Sequence, residues 1–373
     1  MEGIAFGKMI FYKDEKYNFV EFFNEDNGFY LRSNVIHNNK QTEIEATMRS
    51  FPELLDIGIM GTCVACEKGI CKVAGIDCYQ NASSIKRSNM SLNNYRKIIS
   101  QCNGKVFQVA LGGAGDPNKH ENFEEILVET RKSNIVPNLT TSGYKLNKRE
   151  IELIKKYCGA VAVSFYSTLN ENGNESNNTT ISSINRLVNA GCVTNIHYVI
   201  SKKNIHEAMY RIKNDLFPNG INAIIFLLYK PVGLAKTDYM LTENDIEYRD
   251  FLREVTSRNY RYKIGFDSCQ TPALRMFSKK IAPQSLEMCE ASRFSMYIDC
   301  DLIAFPCSFG WENARFSVDL NKSTILEAWN SKEFGDFRNM QNTICSQCKY
   351  DTCYNCALDL GINICGLCQN NFV

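Results

Sequence analysis

Leu54-Leu-Asp-Ile-Gly-Ile-Met60 is an apolar run that leads directly into Gly61-Thr-Cys-Val-Ala-Cys-Glu-Lys-Gly-Ile-Cys-Lys-Val-Ala-Gly-Ile-Asp-Cys-Tyr-Gln80. A short apolar run bounded by glycine and polar residues is typical of a buried strand. Four cysteines, Cys63, Cys66, Cys71 and Cys78, follow it on a single loop. A strand that ends in a cluster of thiols predicts a metal or iron–sulfur site at its carboxyl end.

Similar apolar runs recur along the chain and alternate with stretches of helical periodicity. The predicted strands are 54–60, 106–111, 135–141, 160–165, 193–200 and 223–228, and the predicted helices are 92–103, 122–134, 147–157, 179–190, 204–215 and 242–257. Alternation of this kind predicts a parallel sheet with right-handed crossovers. We therefore expect an α/β fold, a partial (β/α)6 barrel, with a doubly wound sheet as the alternative.

Two further regions flank these alternating strands and helices. Residues 1–50 are rich in aromatic and alternating positions and predict a small β-rich region, while 51–260 hold the barrel. Ten of the 17 cysteines lie in 261–373, which we expect to form a separate cysteine-rich domain. Such a domain depends on its metal centres for order, because loop-rich segments bury little apolar surface.

Composition excludes several classes of function. Lys plus Arg number 42 and Asp plus Glu 41, so no basic excess favours nucleic acid. The longest apolar stretches, such as 223–229, are far shorter than the roughly 18 residues of a membrane span. The chain opens without the basic and apolar segments of a secretion signal, so we expect a cytoplasmic protein. Disulfides are rare in that compartment, which favours metal or cluster ligation.

Polar and glycine residues stand at the end of each predicted strand. The second strand runs into Gly112-Gly-Ala-Gly-Asp-Pro117 and the third into Ser142, the fourth contains Ser164, the fifth carries His197, and Lys230 follows the sixth. Active sites of parallel α/β proteins form at the carboxyl ends of their strands. The sequence therefore predicts one site built by all six strand ends and the cysteine loop.

The pattern resembles the radical S-adenosylmethionine (radical SAM) superfamily over about residues 54–235. The resemblance implies a [4Fe–4S] cluster on the cysteine loop, with one open iron that binds SAM, and reductive cleavage of SAM to a 5′-deoxyadenosyl radical. It also implies SAM contacts from Gly112, Gly113, Ser142 and Ser164, with Asp116 and Lys230 as further candidates. We expect Gly113 to let the backbone pass close to that ligand. A zinc site is the alternative use of four cysteines.

The loop spacing C-x2-C-x4-C-x6-C departs from the usual C-x3-C-x2-C of the superfamily, so two ligand sets remain open. One is Cys63, Cys66 and Cys71; the other is Cys63, Cys71 and Cys78. The second set is favoured because Cys78-Tyr-Gln80 and Gly112-Gly-Ala-Gly-Asp-Pro-Asn-Lys-His-Glu121 resemble a bacterial group whose loop ends in CYQ and whose second strand ends in GGxGDPxxHE.

The C-terminal run Cys345-x2-Cys348-x4-Cys353-x2-Cys356 brings its cysteine pairs too close together for a zinc ribbon. It resembles the SPASM extension of peptide-modifying radical SAM enzymes, which holds one or two auxiliary [4Fe–4S] clusters. By this resemblance the first auxiliary cluster takes Cys269, Cys289, Cys307 and Cys356. The second takes Cys345, Cys348, Cys353 and Cys365, with Cys368 as the alternative to Cys365.

The resemblance implies an enzyme that abstracts hydrogen from a peptide, forming a thioether, a carbon–carbon link or an oxidised side chain. Its partners would be a peptide substrate and an electron donor such as flavodoxin or ferredoxin. Asp299, Asp301 and His197 are the candidate catalytic residues. Sulfatase maturation is disfavoured, because Ser308 stands after Cys307 where those enzymes carry aspartate. The alternatives are a radical SAM enzyme acting on a small molecule, and a non-catalytic zinc or cluster-binding scaffold.

Overall fold

A computed structural model of the chain describes residues 8–346, apart from 243, 279, 280, 282–285 and 288. Within these residues the strands are β1 Met9–Asp14, β2 Phe19–Asn24, β3 Tyr30–Arg32, β4 Ile36–His37, β5 Lys40–Gln41, β6 Leu54–Met60, β7 Gln108–Gly113, β8 Val136–Thr141, β9 Val161–Ser164, β10 Thr194–Ile200, β11 Ala223–Leu228, β12 Lys263–Phe266, β13 Ser295–Ile298, β14 Ile303–Phe305 and β15 Val318–Asp319.

The helices alternate with the strands through the central part of the chain. They are α1 Ile70–Val73, α2 Leu92–Ile99, α3 Phe123–Lys132, α4 Lys148–Tyr157, α5 Asn178–Asn189, α6 Ile205–Asn214, α7 Ile246–Val255, α8 Thr271–Phe277, α9 Ile325–Trp329 and α10 Lys332–Ser346. Polar residues begin several of them: Asn147 and Glu150 form a capping box at α4, and Ser91 accepts a hydrogen bond from the backbone of Asn94 at α2. No described helix is long and apolar enough to cross a lipid bilayer.

One large sheet organises the described part of the chain. Its strand order is β12-β11-β10-β9-β8-β7-β6-β13-β14-β15, and all neighbours from β12 to β13 run parallel. The predicted α/β fold with a large parallel sheet is confirmed, and β6 and β11 begin and end where the sequence predicts.

The sheet extends beyond the six predicted strands on both sides. β12 continues it parallel to β11, and β13 lies parallel to β6 with Ser295 opposite Leu54. Both added strands follow residue 260, so the hydrogen-bonded sheet continues across the predicted domain boundary. The boundaries themselves stay predictions.

Along the strands of the large sheet, successive side chains point alternately into the hydrophobic core and to the concave face. On β6, Leu55, Ile57 and Ile59 are buried in the main hydrophobic core, whereas Leu54 and Asp56 point to the other face. Because successive side chains of a strand point to opposite faces, the apolar runs fill the core and leave the polar positions to the concave side.

The N-terminal region forms the antiparallel sheet β1-β2-β3. It packs through Phe23, whose ring stacks on Phe107 at 5.5 Å between centroids, and it also contacts Val136. Phe107 and Val136 lie where β7 and β8 begin. The N-terminal sheet therefore covers the end of the large sheet opposite the carboxyl ends of its strands.

Candidate active site

A cavity of about 500 Å³ lies on the concave face of the large sheet and reaches the carboxyl ends of its strands. Its walls include every strand-end residue that the sequence predicts for the site: Gly112, Gly113, Asp116, Ser142, Ser164, His197 and Lys230. Residues distant in sequence are therefore brought together as the parallel sheet requires.

The four cysteines of the loop after β6 line the same cavity: Cys63, Cys66, Cys71 and Cys78. The loop contains a 3-10 turn at Cys66–Lys68 and the short helix α1, and the backbone N–H of Cys66 donates a hydrogen bond to the sulfur of Cys63 at 3.2 Å. Burial raises the pKa of the Cys63 thiol to about 12 and raises that of Cys71 as well. As free thiols they would hold their protons, so ligation requires a strongly electropositive partner.

The end of this loop is held by contacts from distant segments. The Cys78 carbonyl accepts a hydrogen bond from the backbone of Leu234 at 3.0 Å, and the Tyr79 carbonyl accepts one from the Trp311 indole at 2.9 Å. Gly233, with φ of +66°, packs so closely that a Cβ there would lie 2.4 Å from the Tyr79 carbonyl oxygen. The backbone that carries Cys78 is thus fixed from the β11 loop and from the segment after β14.

Three further cysteines line the cavity from the C-terminal part of the chain. Cys269 lies in a 3-10 turn after β12, Cys289 precedes β13, and Cys307 follows β14. Burial raises the pKa of the Cys307 thiol to about 12 and that of Cys289 higher still. The sequence prediction that these three belong to one site is compatible with their shared cavity.

The structure does not describe the side chains of the remaining predicted auxiliary ligands. Cys345 lies in the last turn of α10, and its side chain is not described. Cys348, Cys353, Cys356, Cys365 and Cys368 lie outside the described residues. Their ligand assignments stay predictions.

The cavity cysteines can be tested for fit to a metal centre. Among the described residues, no three His, Cys, Asp or Glu side chains are close enough together to hold a single metal ion. A [4Fe–4S] cluster makes a different demand, because each thiolate binds a different iron and the sulfur atoms stand farther apart. Four thiols around one cavity, on a loop containing Gly69 and Gly75, fit a cluster of that kind.

Asp116 and Ser142 join the end of β7 to the end of β8. One carboxylate oxygen of Asp116 accepts the backbone N–H of Ser142 at 2.6 Å, and the other accepts its hydroxyl at 2.6 Å. Burial raises the pKa of Asp116, although these hydrogen bonds partly oppose the rise. Asp116 therefore orients the loop, and its expected contact with SAM stays a prediction.

Gly112 and Gly113 differ in what surrounds them. A Cβ at Gly112 would meet only a carboxylate oxygen of Asp56, at 3.9 Å, and would otherwise have free space. Gly113 has φ of +114°, and a Cβ there would lie 2.5 Å from the Met60 carbonyl oxygen on β6. The missing side chain of Gly113 therefore accommodates the neighbouring strand, and its expected approach to a ligand stays a prediction.

Lys230 is buried and His197 half-buried in the cavity wall. The Lys230 ammonium forms an ion pair with Asp267, donates to the Leu228 carbonyl at 3.1 Å and lies 4.4 Å from the centre of the Phe309 ring. Burial lowers the pKa of His197 to about 4, against the opposing effect of Asp267, so His197 is neutral near pH 7. Asp267 was not predicted from the sequence.

Asp56 is a second cavity carboxylate that the sequence analysis missed. It lies on β6, and burial raises its pKa to about 7 while the Ser308 hydroxyl has the opposite effect. A single acidic residue within an otherwise apolar strand was the available signal. Gln80 and Glu290 also line the cavity without having been predicted.

Asp299 and Asp301 are not among the residues that line the cavity. Both bind the Arg87 guanidinium, at 2.6 and 3.2 Å, and Asp299 also accepts the backbone N–H of Ile303 at 2.8 Å. These contacts fix the turn between β13 and β14. The catalytic role expected of them from the sequence stays a prediction. His197 does face the cavity.

His120 has a structural role at the start of α3. The backbone of Asn122 donates to its Nδ1 at 3.0 Å, and its Nε2 donates to the Met90 carbonyl at 2.9 Å. The adjacent Glu121 accepts a hydrogen bond from Asn89 at 2.8 Å. The His-Glu pair therefore attaches the loop after β7 to the segment that follows the cysteine loop.

Comparison with known proteins identifies likenesses in solved structures alone: no family model and no curated sequence matches the chain. The structure of Streptococcus suis SuiB bound to S-adenosylmethionine has a TM-score of 0.65 and 16% identity, and the match covers 94% of this chain and 95% of SuiB. SuiB bound to the precursor peptide SuiA gives a TM-score of 0.63 and 15% identity, over 88% of this chain and 89% of SuiB.

A second likeness is to native anSMEcpe with bound AdoMet and the Kp18Cys peptide. Its TM-score is 0.56 at 15% identity, and the match covers 81% of this chain and 88% of that one. At such identities these likenesses show that the chain has the fold of SuiB and anSMEcpe.

Proposed function

We propose that this chain is a radical SAM enzyme that abstracts hydrogen from a peptide substrate. One observation carries the proposal: the cysteine loop, the glycine pair and the polar strand ends share a single cavity in a fold that also occurs in SAM-bound proteins. The SuiB structure with SuiA and the anSMEcpe structure with Kp18Cys both hold peptides, which supports a peptide rather than a small molecule as substrate.

Cys63, Cys71 and Cys78 would hold the cluster that binds SAM, with Cys66 as the alternative to one of them. When bound, the reduced cluster and SAM would supply a 5′-deoxyadenosyl radical, which takes a hydrogen atom from the substrate. Gly112 leaves room for SAM beside β7, and Ser142 and Ser164 offer hydroxyls at the ends of β8 and β9. The ion pair with Asp267 holds Lys230 in the cavity wall, where it contributes positive charge.

The cavity also contains acids and bases that can handle protons. Asp56, with its pKa raised to about 7, exchanges a proton near neutral pH, while neutral His197 can accept or donate a hydrogen bond. We propose that Cys269, Cys289 and Cys307 hold an auxiliary cluster beside the substrate, with Cys356 as the fourth ligand. Cys345, Cys348, Cys353 and Cys365, or Cys368 in place of Cys365, would hold a second cluster. An electron donor of the flavodoxin or ferredoxin class would reduce the SAM-binding cluster.

The test is anaerobic reconstitution followed by iron analysis, Mössbauer spectroscopy and an assay of SAM cleavage. Three clusters correspond to about twelve irons per chain. Replacing Cys63, Cys71 and Cys78 together by Ala should remove about four irons and abolish 5′-deoxyadenosine formation. Cys158→Ala is the control, because Cys158 lies outside the cavity wall.

Undiminished SAM cleavage in the triple variant would overturn the proposal. Stoichiometric zinc without SAM cleavage would identify a scaffold instead. Cleavage that accelerates with a small molecule but with no peptide would retain the radical chemistry and exclude the peptide substrate.

A further inference from the structure

Gln80 is a buried polar residue whose hydrogen bonds are not made within the described part of the chain. Its side chain lines the cavity and the residue is 3% exposed, yet neither its amide oxygen nor its amide nitrogen has a hydrogen-bond partner there. The amide is close enough to the Tyr79 phenol to oppose the rise in that group's pKa, but no hydrogen bond joins the two. Buried amides without partners are rare in proteins, because they lose their bonds to water without replacement.

The backbone around Gln80 is fixed, so its side chain cannot move out with its loop. The preceding Tyr79 carbonyl is bound by Trp311, and the Cys78 carbonyl accepts hydrogen bonds from Leu234 and Asn81 at 3.0 and 3.2 Å. A Leu or Met at this position would fill similar space without the unpaired amide. A rigidly held amide that faces a cavity is arranged to meet a ligand rather than to support the fold.

We propose that Gln80 is a ligand-binding residue, offering one donor and one acceptor to a planar group that carries the complementary pair. This inference rests on the proposed function, which supplies two sources of such a group. One is the edge of the adenine base of SAM, and the other is a backbone amide of the peptide substrate. A glutamine carboxamide can match either with paired hydrogen bonds.

Gln270 provides a matched control. It is also buried, but its amide nitrogen donates to the Phe226 carbonyl at 2.6 Å and its amide oxygen accepts from the Tyr248 hydroxyl at 3.2 Å. Gln270 does not line the cavity. Gln270 is thus a buried glutamine whose amide is bonded at both ends, in contrast to Gln80.

The experiment compares Gln80→Met and Gln270→Met in the full reconstituted chain. Gln270→Met should lower the melting temperature, because it breaks hydrogen bonds that are present, whereas Gln80→Met should leave it unchanged or raise it. SAM affinity is measured by equilibrium dialysis. Binding of a pool of capped tripeptides is measured beside it, both at saturating SAM and without SAM.

The two sources of the ligand group give different results. A SAM dissociation constant raised about tenfold in Gln80→Met would identify the adenine edge. Unchanged SAM affinity with weaker tripeptide binding would identify the peptide. If both affinities are unchanged, or if Gln80→Met loses as much thermal stability as Gln270→Met, Gln80 supports the fold and the inference is wrong. A wild-type chain that binds no SAM would refute the proposed function, and the tripeptide and stability comparisons would still judge Gln80.

Discussion

Adjacent glycines at the end of β7 should respond in opposite ways to the same substitution. Gly113 has φ of +114°, and its Cβ would lie 2.5 Å from the carbonyl oxygen and 2.9 Å from the nitrogen of Met60. At Gly112 the nearest atom, on Asp56, lies 3.9 Å from the corresponding Cβ. Alanine is therefore compatible with the fold at the first position and incompatible at the second.

The magnitudes follow from these distances. An alanine at Gly113 incurs about 1–3 kcal/mol for its backbone conformation, and overlap with the β6 backbone costs about 1–3 kcal/mol more. We expect Gly113→Ala to lose about 2–6 kcal/mol of unfolding free energy. Gly112→Ala should change stability by less than about 1 kcal/mol, because it introduces no clash and lowers the entropy of the unfolded chain.

Ligand binding should show the reverse order. The methyl group of Gly112→Ala occupies cavity space where we place SAM, which should raise the SAM dissociation constant about tenfold. Urea unfolding monitored by far-ultraviolet circular dichroism gives the first quantity, and calorimetric titration of the anaerobic protein with SAM gives the second. Equal stability of the two variants, with SAM affinity lost only in Gly113→Ala, would refute this reading of the glycine pair.

Three further predictions test the remaining parts of the site. The folded-state pKa of His197, about 4, lies below its ordinary value of 6.5, so the unfolded chain binds more protons between these values. Lowering the pH from 7 to 5 should thus cost the wild type about 2 kcal/mol more than His197→Gln, whereas the exposed control His206→Gln should follow the wild type; parallel urea curves for all three would contradict this. Trp311→Phe removes the hydrogen bond to the cysteine loop and should alter the electron paramagnetic resonance spectrum of the SAM-bound cluster without loss of iron; an unchanged spectrum would exclude a positioning role. Cys78→Ala should lose about four irons and SAM cleavage while Cys66→Ala keeps both, and the opposite result would assign the cluster to the other set of cysteines.

The parallel sheet was predictable because its strands are short apolar runs with clear polar boundaries. β6 and β11 lie where the pattern places them, and β8, β9 and β10 begin one residue later than predicted. The positions of these strands depend on burial of their apolar side chains, and the apolar runs are visible in the local sequence. The added strand β13 is short, and its partner β6 lies far away in the chain, so no local pattern identifies their pairing.

Some site residues were likewise predictable from local sequence, whereas others depend on contacts between distant segments. Ser142, Ser164 and His197 were predicted to share one cavity because the carboxyl ends of parallel strands lie at the same edge of a sheet, and all three line the cavity. Asp299 and Asp301 bind Arg87 instead of lining the cavity, an arrangement that their nearness in sequence to candidate cysteines does not reveal. The sequence did not identify Gln80 as a site residue, because the evidence is the absence of hydrogen-bond partners for its buried amide. That absence is visible only in the folded structure.

The hydrogen bond from the Trp311 indole to the Tyr79 carbonyl joins residues 232 positions apart in the sequence, so it forms only after both have been synthesised. As the chain leaves the ribosome, its cysteine loop emerges early and Trp311 emerges late. Long-range contacts of this kind also form slowly. The nascent protein therefore carries exposed, loosely held thiols until most of its length has been translated. We expect the iron of the proposed cluster to be inserted after synthesis ends, when the residues that enclose the cavity are all present.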